Sequence, residues 1–322
     1  MMETPLAEAL EEALASERKG PHVVAIGGGT GLAAALRAVQ RYAGRIDAIV
    51  TVADDGGSSG RLAPGLEIPP PGDIRKCLLA LAPEESVWRD LFEYRFTGAD
   101  VVGHSLGNLI IASLADLTGD FRAALKAAER LLATVGSVIP ASPQRLQIAS
   151  VVDGEPVAGQ VALALSRGNV EEMWLIPGDA EASAEAIQAI LAADQIVIGP
   201  GSLYTSLLAT LLVPGIVEAV NLATARLVYV ANVSTQDGET LGMDCADHLD
   251  ALIRMSGIRP PAAIVADKTA AEFPPPLEPI VVDEDVLATY GVDVVTGQFV
   301  DLRSAVPRHD PVRLGGALAR LT

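Results

Sequence analysis

The sequence predicts an α/β fold in which a parallel β-sheet is covered by helices, with a small inserted sub-domain. Short runs of Val, Ile and Ala alternate with longer segments that carry Ala and Leu at helical spacing, which is typical of strands joined by crossover helices. Hydrophobic residues make up 50% of the chain and aromatic residues only 4%, as expected of aliphatic strands buried on both faces. Glycine clusters follow several of the strand-like runs, and strand-to-helix turns of this fold class are rich in glycine.

Seven strand-like runs are expected to form one parallel sheet. They are residues 23–26, 47–52, 173–176, 195–198, 227–233, 262–265 and 279–282. Helical periodicity is found in residues 32–42, 105–117, 121–133, 182–192 and 245–255, and a further helix is expected at Cys77 to Leu81. The alternation of the two kinds of segment predicts a sheet wrapped by helices.

Residues 21–322 are expected to form a single domain, and residues 1–20 an appended helix outside it. The first twenty residues are acidic and carry leucine at positions 6, 10 and 14, which is helical spacing. They lack the basic and apolar regions of a secretory signal. Pro and Gly residues interrupt the stretch at about 137–170, which we interpret as a small excursion from the main sheet.

Charge and composition exclude several classes of protein. The formal net charge is −18, and general binding to nucleic acid needs an excess of Lys and Arg instead. No apolar stretch approaches the roughly 18 residues of a membrane span. The cysteines, Cys77 and Cys245, lie far apart in the sequence, which favours neither a disulfide framework nor a metal cluster. A cytoplasmic location is the simplest prediction.

The first glycine cluster is a candidate phosphate site. Gly28, Gly29, Thr30 and Gly31 follow the run 23–26 and open a helical segment. One glycine is enough for a turn, so the others indicate that a ligand approaches the backbone. The cluster also fits the relaxed dinucleotide pattern G-x-G-x-x-A.

Two adjacent carboxylates follow the next strand-like run. Asp54 and Asp55 lie in a loop that also contains Ser58, Ser59 and Arg61. Paired carboxylates near phosphate-binding amides indicate a divalent cation such as Mg²⁺, or a polarised substrate group. A ribose-binding acid is normally single, so this pair disfavours an ordinary NAD site.

Two further segments carry candidate ligand residues at helix starts. Asp73 precedes an apolar run and is either a helix N-cap or a ligand residue, whereas Arg75 and Lys76 are cations at the positive end of a helix dipole and indicate a nearby anion. His104 and Asn108 open another predicted helix. Both are either satisfied core residues or ligand groups.

Two later loops repeat this chemistry after strands. Residues Gly199, Pro200, Gly201 and Ser202 follow the run 195–198 and predict a second helix N-terminus that offers free amides to an anion. The loop Asn232 to Thr240, again after a strand, contributes Asn232, Thr235 and Gln236, whose polar groups suit a sugar or a base edge.

Six of these motifs, in this order, resemble the YvcK branch (gluconeogenesis factor) of the CofD-like superfamily, over roughly residues 22–320. The motifs are Gly-Gly-Gly-Thr-Gly-Leu (27–32), Ala-Asp-Asp-Gly-Gly-Ser-Ser-Gly-Arg-Leu (53–62), Pro-Pro-Gly-Asp-Ile-Arg-Lys (70–76), His-Ser-Leu-Gly-Asn-Leu (104–109), Gly-Pro-Gly-Ser-Leu-Tyr-Thr-Ser (199–206) and Thr-Gln-Asp-Gly-Glu-Thr (235–240). The resemblance implies a Rossmann-like fold, a cytoplasmic bacterial protein, UDP-N-acetylglucosamine as ligand, and roles in carbon metabolism, cell shape and peptidoglycan synthesis. It also implies a site role for Arg308, because an Arg-His-Asp triplet recurs near the end of such chains.

The resulting prediction is a nucleotide-sugar-binding regulatory protein, in which residues 27–31 and 199–202 hold phosphates and Asp54 and Asp55 orient a hydroxyl or a cation. A homo-oligomer and regulatory partners in cell-wall synthesis are expected with it. One alternative is a CofD-like transferase, which joins a 2-phospholactyl group to a deazaflavin with a guanylylated donor and Mg²⁺. The chain follows YvcK and not CofD at residues 58–61 and 73–76, which disfavours that reaction. A dinucleotide-dependent oxidoreductase is a third, less favoured alternative.

Overall fold

The computed structural model describes residues 19–56, 68–98, 101–269 and 271–322. The appended N-terminal helix predicted for residues 1–20 falls almost wholly outside these ranges. Ser58, Ser59 and Arg61 also lie outside these ranges.

The core of the molecule is a seven-stranded sheet in which every neighbouring pair of strands is parallel. Its strands are β1 (His22–Gly27), β2 (Arg45–Val50), β3 (Ser137–Pro140), β7 (Gln195–Ile198), β8 (Arg226–Val230), β9 (Ala263–Asp267) and β10 (Asp293–Gly297). They are arranged in the order β10-β9-β8-β7-β1-β2-β3. The Val, Ile and Ala residues of β1 are fully buried, as strands covered on both faces require.

The strand order reverses direction at the centre of the sheet. From β1 the chain moves outward to β2 and β3, and from β7, on the other side of β1, it moves outward to β10. Right-handed crossovers in opposite directions place helices on opposite faces. The Rossmann-like arrangement expected from the sequence is therefore confirmed, and β1 and β7 flank its topological switch point.

Helices connect and cover these strands. They are α1 (Gly29–Val39), α2 (Pro71–Leu81), α3 (Val87–Glu93), α4 (Leu106–Thr118), α5 (Phe121–Leu132), α6 (Gln160–Ser166), α7 (Ala184–Ala192), a π-helical turn (Leu203–Leu208) that continues into α8 (Ala209–Leu211), α9 (Ile216–Leu222), α10 (Cys245–Ser256), α11 (Glu284–Ala288) and α12 (Pro311–Ala319). Among the described residues no single helix is long and apolar enough to cross a bilayer, and Leu203–Leu211 with Ile216–Leu222 meets that test only as a pair bent by 73°.

A small antiparallel sheet interrupts the parallel one. It consists of β4 (Gln147–Val152), β5 (Glu155–Ala158) and β6 (Val170–Ile176), in the order β5-β4-β6. The run 173–176 was expected in the main sheet and lies in β6 instead. Exposed residues interrupt the buried ones along β6, which is typical of a strand that faces solvent on one side. Conversely, β3 falls within the stretch interpreted as the excursion but pairs with β2 in the main sheet.

The expected strand at 279–282 is also wrong. Pro279 makes only an isolated bridge with Ser234, so the apolar residues after it gain no strand neighbour. The seventh parallel strand is β10, whose sequence Asp-Val-Val-Thr-Gly has only two consecutive apolar residues and gave no clear signal.

Candidate functional site

The turn between β1 and α1 presents unpaired backbone amides. Gly28 is the N-cap of α1 and provides no side-chain cap, and the first amides of a helix have no partner within the helix. No acceptor in the described ranges meets the N–H groups of Gly29, Thr30 and Gly31. Gly29 has a φ of 64°, which glycine adopts without strain. Unpaired amides at the positive end of the α1 dipole can bind an anion, and the carboxylate of Asp73 already lies beside Gly28 and Gly29.

The two glycine loops pack directly against each other. A Cβ atom on Gly31 would lie 2.8 Å from the Cα of Gly201 and would collide with the backbone of Pro200. A Cβ atom on Gly28 would lie 2.6 Å from Cγ2 of Thr51 and 2.8 Å from Oδ2 of Asp73. Glycine at these two positions lets α1 start within van der Waals contact of its neighbours, so the loops form one surface.

This surface is the floor of a cleft of about 290 Å³ at the switch point of the sheet, which we call the central cleft. Open α/β sheets bind ligands in this location. The residues that line it are Gly28, Gly29, Thr30, Gly31, Ala34, Asp73, Lys76, Gln160, Pro200, Gly201, Ser202, Ser206, Asn232, Val233, Ser234, Gln236, Pro307, Arg308 and His309.

Two cationic side chains line the central cleft. Nζ of Lys76 lies 2.8 Å from Oδ1 of Asp73, whose side chain is buried. Nη2 of Arg308 lies 3.3 Å from Oδ2 of Asp301, and the Arg308 side chain is 49% exposed. Each cation is thus paired with its own carboxylate. Both cations line the same cleft as the first residues of α1.

Amide side chains join the second glycine loop to the loop after β8. Oδ1 of Asn232 accepts a hydrogen bond from the Gly201 amide at 3.0 Å, and Nδ2 of Asn232 donates to the Gly201 carbonyl at 2.8 Å. Nε2 of Gln236 donates to Oγ of Ser202 at 3.0 Å. These contacts hold the polar side chains that face the cleft in fixed positions.

The second helix N-terminus is occupied by a side chain of the protein itself. Oε2 of Glu239 accepts from the Tyr204 amide at 3.2 Å, and Oε1 accepts from Oγ1 of Thr205 at 2.6 Å. Burial raises the pKa of Glu239, and its hydrogen bonds to Thr205, Tyr204 and Ser202 oppose that increase. Gly201 and Ser202 line the cleft, but the amides of Tyr204 and Thr205 are already satisfied by this carboxylate.

Asp55 also serves as an internal cap. Its Oδ2 accepts from the Gln160 amide and its Oδ1 from the Val161 amide, both at 3.0 Å, so it caps α6, whose own N-cap is a glycine without a side chain. Oδ1 of Asp54 accepts from the Gly56 amide at 2.9 Å.

The acidic pair does not fit a Mg²⁺ site in this arrangement. Both oxygens of Asp55 bind backbone amides, whereas a metal site directs carboxylate oxygens at one point. Across the described residues, no group of three or more His, Cys, Asp and Glu side chains could hold a metal ion. Neither Asp54 nor Asp55 lines the central cleft.

Asp73 lines the central cleft but is not the N-cap of α2, which is Pro70; it lies in the first turn. Arg75 and Asn108 lie away from the cleft. Nε of Arg75 donates to Oδ1 of Asn108 at 3.0 Å and its Nη1 to the Phe92 carbonyl. Burial lowers the pKa of Arg75, as does the charge of nearby Arg95. Arg75 and Asn108 thus tie α2 to α4.

His104 and Thr235 also lie outside the cleft lining. Thr235 is hydrogen-bonded to the backbone of Glu278 through both its amide and its hydroxyl. His104 is half-buried and precedes Ser105, the N-cap of α4.

Sequence reasoning missed several residues that line the cleft. Gln160 begins α6, far along the chain from the glycine loops. Ser206, Ser234 and His309 also line the cleft. Ser206, Ser234 and His309 carried a signal, since they lie in segments whose neighbouring residues were named as candidates, whereas Gln160 carried none.

Fold and site together define a Rossmann-like α/β protein with a glycine-lined cleft at its switch point. The model of the family "2-phospho-L-lactate transferase CofD" matches residues 23–300. The chain belongs to the CofD family and, within it, to the gluconeogenesis-factor (YvcK) branch.

Relatives and a solved structure agree with this assignment. The gluconeogenesis factor of Halalkalibacterium halodurans is 42% identical over 93% of this chain and 96% of its own length. That of Bacillus subtilis is 41% identical over 94% and 98%. A crystal structure of a protein from Bacillus halodurans has a TM-score of 0.90 and 40% identity, over 93% of this chain and 99% of that one.

Proposed function

We propose that this chain is a regulatory protein that binds UDP-N-acetylglucosamine in the central cleft. The observation that carries the proposal is the open N-terminus of α1 at the switch point, with Lys76 and Arg308 at the edges of the same cleft. A diphosphate suits this arrangement, because its oxygens accept hydrogen bonds from unpaired amides and attract cations.

The charge balance of the chain supports a local anion site. With a net charge of −18, the protein repels anions at long range, so binding depends on groups within the cleft. The α1 amides supply such groups without adding charged side chains. Lys76 and Arg308 line the same cleft, each paired with a carboxylate.

The remaining polar groups suit a sugar. Asn232, Gln236 and Ser202 are fixed by mutual and backbone hydrogen bonds, and fixed donors and acceptors give a pocket its specificity. At about 290 Å³, the cleft is at the small end of ligand sites. We expect it to enclose the diphosphate and one sugar and to leave the rest of the nucleotide at its mouth.

A regulatory role is favoured over the transferase alternative. The acids that would hold Mg²⁺ in a transferase bind backbone amides instead. We also propose that the protein acts in the bacterial cytoplasm as a sensor of a cell-wall precursor. Effects on carbon metabolism, cell shape and peptidoglycan synthesis, through protein partners and a homo-oligomer, are part of this proposal.

Titration calorimetry tests the proposal with UDP-N-acetylglucosamine, GDP and NAD⁺. We expect the sugar nucleotide to bind at least tenfold more tightly than either of the others. Tighter binding of NAD⁺ would support a dinucleotide enzyme instead. Mg²⁺-dependent release of UDP from the sugar nucleotide, followed by chromatography, would support the transferase.

A further inference from the structure

Helix α3 carries large apolar side chains on its solvent side. Val87, Leu91 and Tyr94 have the spacing i, i+4 and i+7, which places them on one face of a helix. They are 75%, 36% and 52% exposed, and Trp88, one turn before Leu91, is 43% exposed. We call these four residues the α3 stripe. A contiguous exposed apolar patch that contains Trp and Tyr is typical of an interaction surface.

The opposite side of α3 is fixed to the body of the protein. Phe92 is fully buried. Nη1 of Arg89 donates to the Leu79 carbonyl at 2.7 Å, which ties α3 to the end of α2. At the other end of α3 the Tyr94 ring packs edge-on against Phe96, with the ring centroids 5.2 Å apart. The stripe is therefore ordered before any partner binds, which lowers the entropic cost of association.

The stripe is separate from the nucleotide site. None of its four residues lines the central cleft. Asp73 and Lys76, in the first half of α2, line the cleft, whereas Arg89 contacts the last turn of α2. Binding of a nucleotide in the cleft therefore does not account for the exposed apolar side chains of α3.

The pattern of the stripe is nearly symmetric about Leu91. Val87 precedes Leu91 by four residues, and Tyr94 follows it by three. A second copy of α3 in antiparallel orientation would place its Tyr94 against Val87 and its Leu91 against Leu91. A two-fold interface needs a patch that complements itself in this way.

The charges at the two ends of α3 favour the same orientation. Glu84 and Glu85 precede the helix, Arg95 follows it, and all three residues are exposed. An antiparallel pair brings the acidic end of each copy to the basic end of the other. A parallel pair would bring like charges together.

We propose that the α3 stripe is the contact surface between two copies of this chain, packed antiparallel about a two-fold axis near Leu91. The inference rests on the proposed function in one respect, since it gives the homo-oligomer named there its interface. Asp90 adjoins Leu91 and is exposed, so its two copies lie near the axis and repel each other. The stripe is small beside the roughly 20–30 residues per side of a standard interface, so the dimer dissociates on dilution.

Sedimentation velocity over a range of concentrations of the full chain gives the first measurement. We expect a monomer–dimer equilibrium whose Kd rises at least tenfold in Leu91→Asp, because the substitution places two carboxylates at the axis. Leu222→Asp is the matched control, since Leu222 is an exposed leucine (76%) at the end of α9, and it should leave Kd unchanged. Circular dichroism melting checks that both variants fold.

Exchange of the end charges tests the orientation of the two copies. Glu85→Arg and Arg95→Glu should each weaken association severalfold, and the double variant should restore it, because each copy again presents opposite charges to the other. Asp90→Asn should strengthen association by removing the repulsion near the axis. Weakening in the double variant beyond either single variant would contradict the antiparallel contact.

A cross-linking experiment gives a covalent readout that does not depend on Kd. The chain has two cysteines, and both Cys77 and Cys245 are buried, so Leu91→Cys introduces an exposed thiol. A short bis-maleimide should link two copies of Leu91→Cys into a dimer on a denaturing gel. Leu222→Cys, treated in the same way, should remain a monomer. Equal cross-linking of the two variants would show that collisions, and not a specific contact, join the copies.

A chain that stays monomeric at every concentration, with and without UDP-N-acetylglucosamine, leaves the stripe to a different partner and overturns the inference. A dimer that Leu91→Asp leaves intact overturns it as well. Failure of the proposed function is a separate result. Calorimetry with UDP-N-acetylglucosamine should give wild-type affinity for Leu91→Asp, and a wild-type chain that dimerises through the stripe without binding this nucleotide contradicts the proposed ligand and supports the interface.

Discussion

Arg308 contributes a guanidinium to the cleft, and this guanidinium forms an ion pair with Asp301. Asp301 accepts from Nη2 of Arg308 and also from Nε of Arg303, so Arg303 can hold Asp301 when Arg308 turns to a ligand. The side-chain hydrogen bond from Arg303 is the largest cause of the lowered pKa of Asp301. A guanidinium held this way is available for bidentate binding of a phosphate.

We expect Arg308→Ala to weaken sugar-nucleotide binding at least tenfold, about 1.4 kcal/mol, with an unchanged melting temperature of the free protein. Arg308→Lys recovers only part of the affinity, because an ammonium group retains the charge but loses the planar fork. Calorimetry measures both. Arg313→Ala is the control, since Arg313 is exposed on α12 and outside the cleft lining. Wild-type affinity in both Arg308 variants would place Arg308 outside the site.

Because burial lowers the pKa of His309, we expect the stability of the folded chain to depend on pH. Its pKa is about 4 in the folded chain against 6.5 for an unperturbed histidine. As the pH falls from 6.5 to 4, the unfolded chain binds a proton that the folded chain does not, so stability decreases by up to about 3 kcal/mol. Above pH 6.5 and below pH 4 this contribution is constant.

Urea unfolding at pH 7, 5.5 and 4.5 checks this expectation. Wild type should lose more stability on acidification than His309→Asn, which carries no titrating ring. Comparison of the two removes the contribution of His248, whose pKa is also lowered by burial. Parallel pH profiles for the two proteins would show that His309 is protonated with the ordinary pKa.

Site residues could be predicted from the sequence where the residues of a motif are adjacent in the chain. The cluster 27–31 follows a strand and starts a helix within five residues, so its amides were identified from sequence alone. The partners of Asp55 and Glu239 were not predictable, because the Val161 amide lies 106 residues from Asp55 and the Tyr204 amide lies 35 residues from Glu239. Both carboxylates satisfy helix N-termini inside the protein, and nothing local in the sequence distinguishes such a cap from a ligand residue.

At the scale of elements, the strength of the apolar pattern decided the accuracy of the prediction. β1, β2, β7, β8 and β9 are apolar runs and were located correctly. Periodicity does not report the partner of a strand, so the run 173–176 was assigned to the wrong sheet. It also does not report whether any partner exists, so the run 279–282 was assigned as a strand. β3 and β10 lie at the two edges of the sheet; β3 has only four residues, and β10 has no fully buried one, so both gave a weak signal.

Because Asp55 caps α6, we expect substitution of Asp55 to lower the stability of the fold. We expect Asp55→Asn to destabilise the chain by about 1 kcal/mol, because an amide offers one acceptor where α6 needs two. The melting temperature should fall by roughly 2–4 °C, measured by circular dichroism. Asp116→Asn, on the exposed side of α4, should have no effect. An unchanged melting temperature with lost ligand binding would instead assign Asp55 to the site.

At the scale of the whole molecule, ligand binding should stabilise the fold as a unit. The cleft is built from residues between Gly28 and His309, so only the folded sheet binds. At a ligand concentration one hundred times Kd the stabilisation is about 2.7 kcal/mol, or roughly 5 °C or more in melting temperature.

Differential scanning fluorimetry with UDP-N-acetylglucosamine measures this shift. Arg308→Ala, with tenfold weaker binding, should show about half the wild-type shift at the same ligand concentration. A shift of equal size in both proteins would mean that the nucleotide binds elsewhere.

The contact between Gly31 and the backbone of Pro200 and Gly201 has a consequence for any attempt to divide the chain. One wall of the cleft follows β1 and the other follows β7, and the small antiparallel sheet is inserted between them in sequence. A fragment that ends before residue 199 would retain the α1 amides and lose the surface they pack against. Nucleotide capture therefore reports assembly of both halves of the sheet, and a fluorescent sugar nucleotide would count fully assembled molecules in a mixture that also contains partly folded ones.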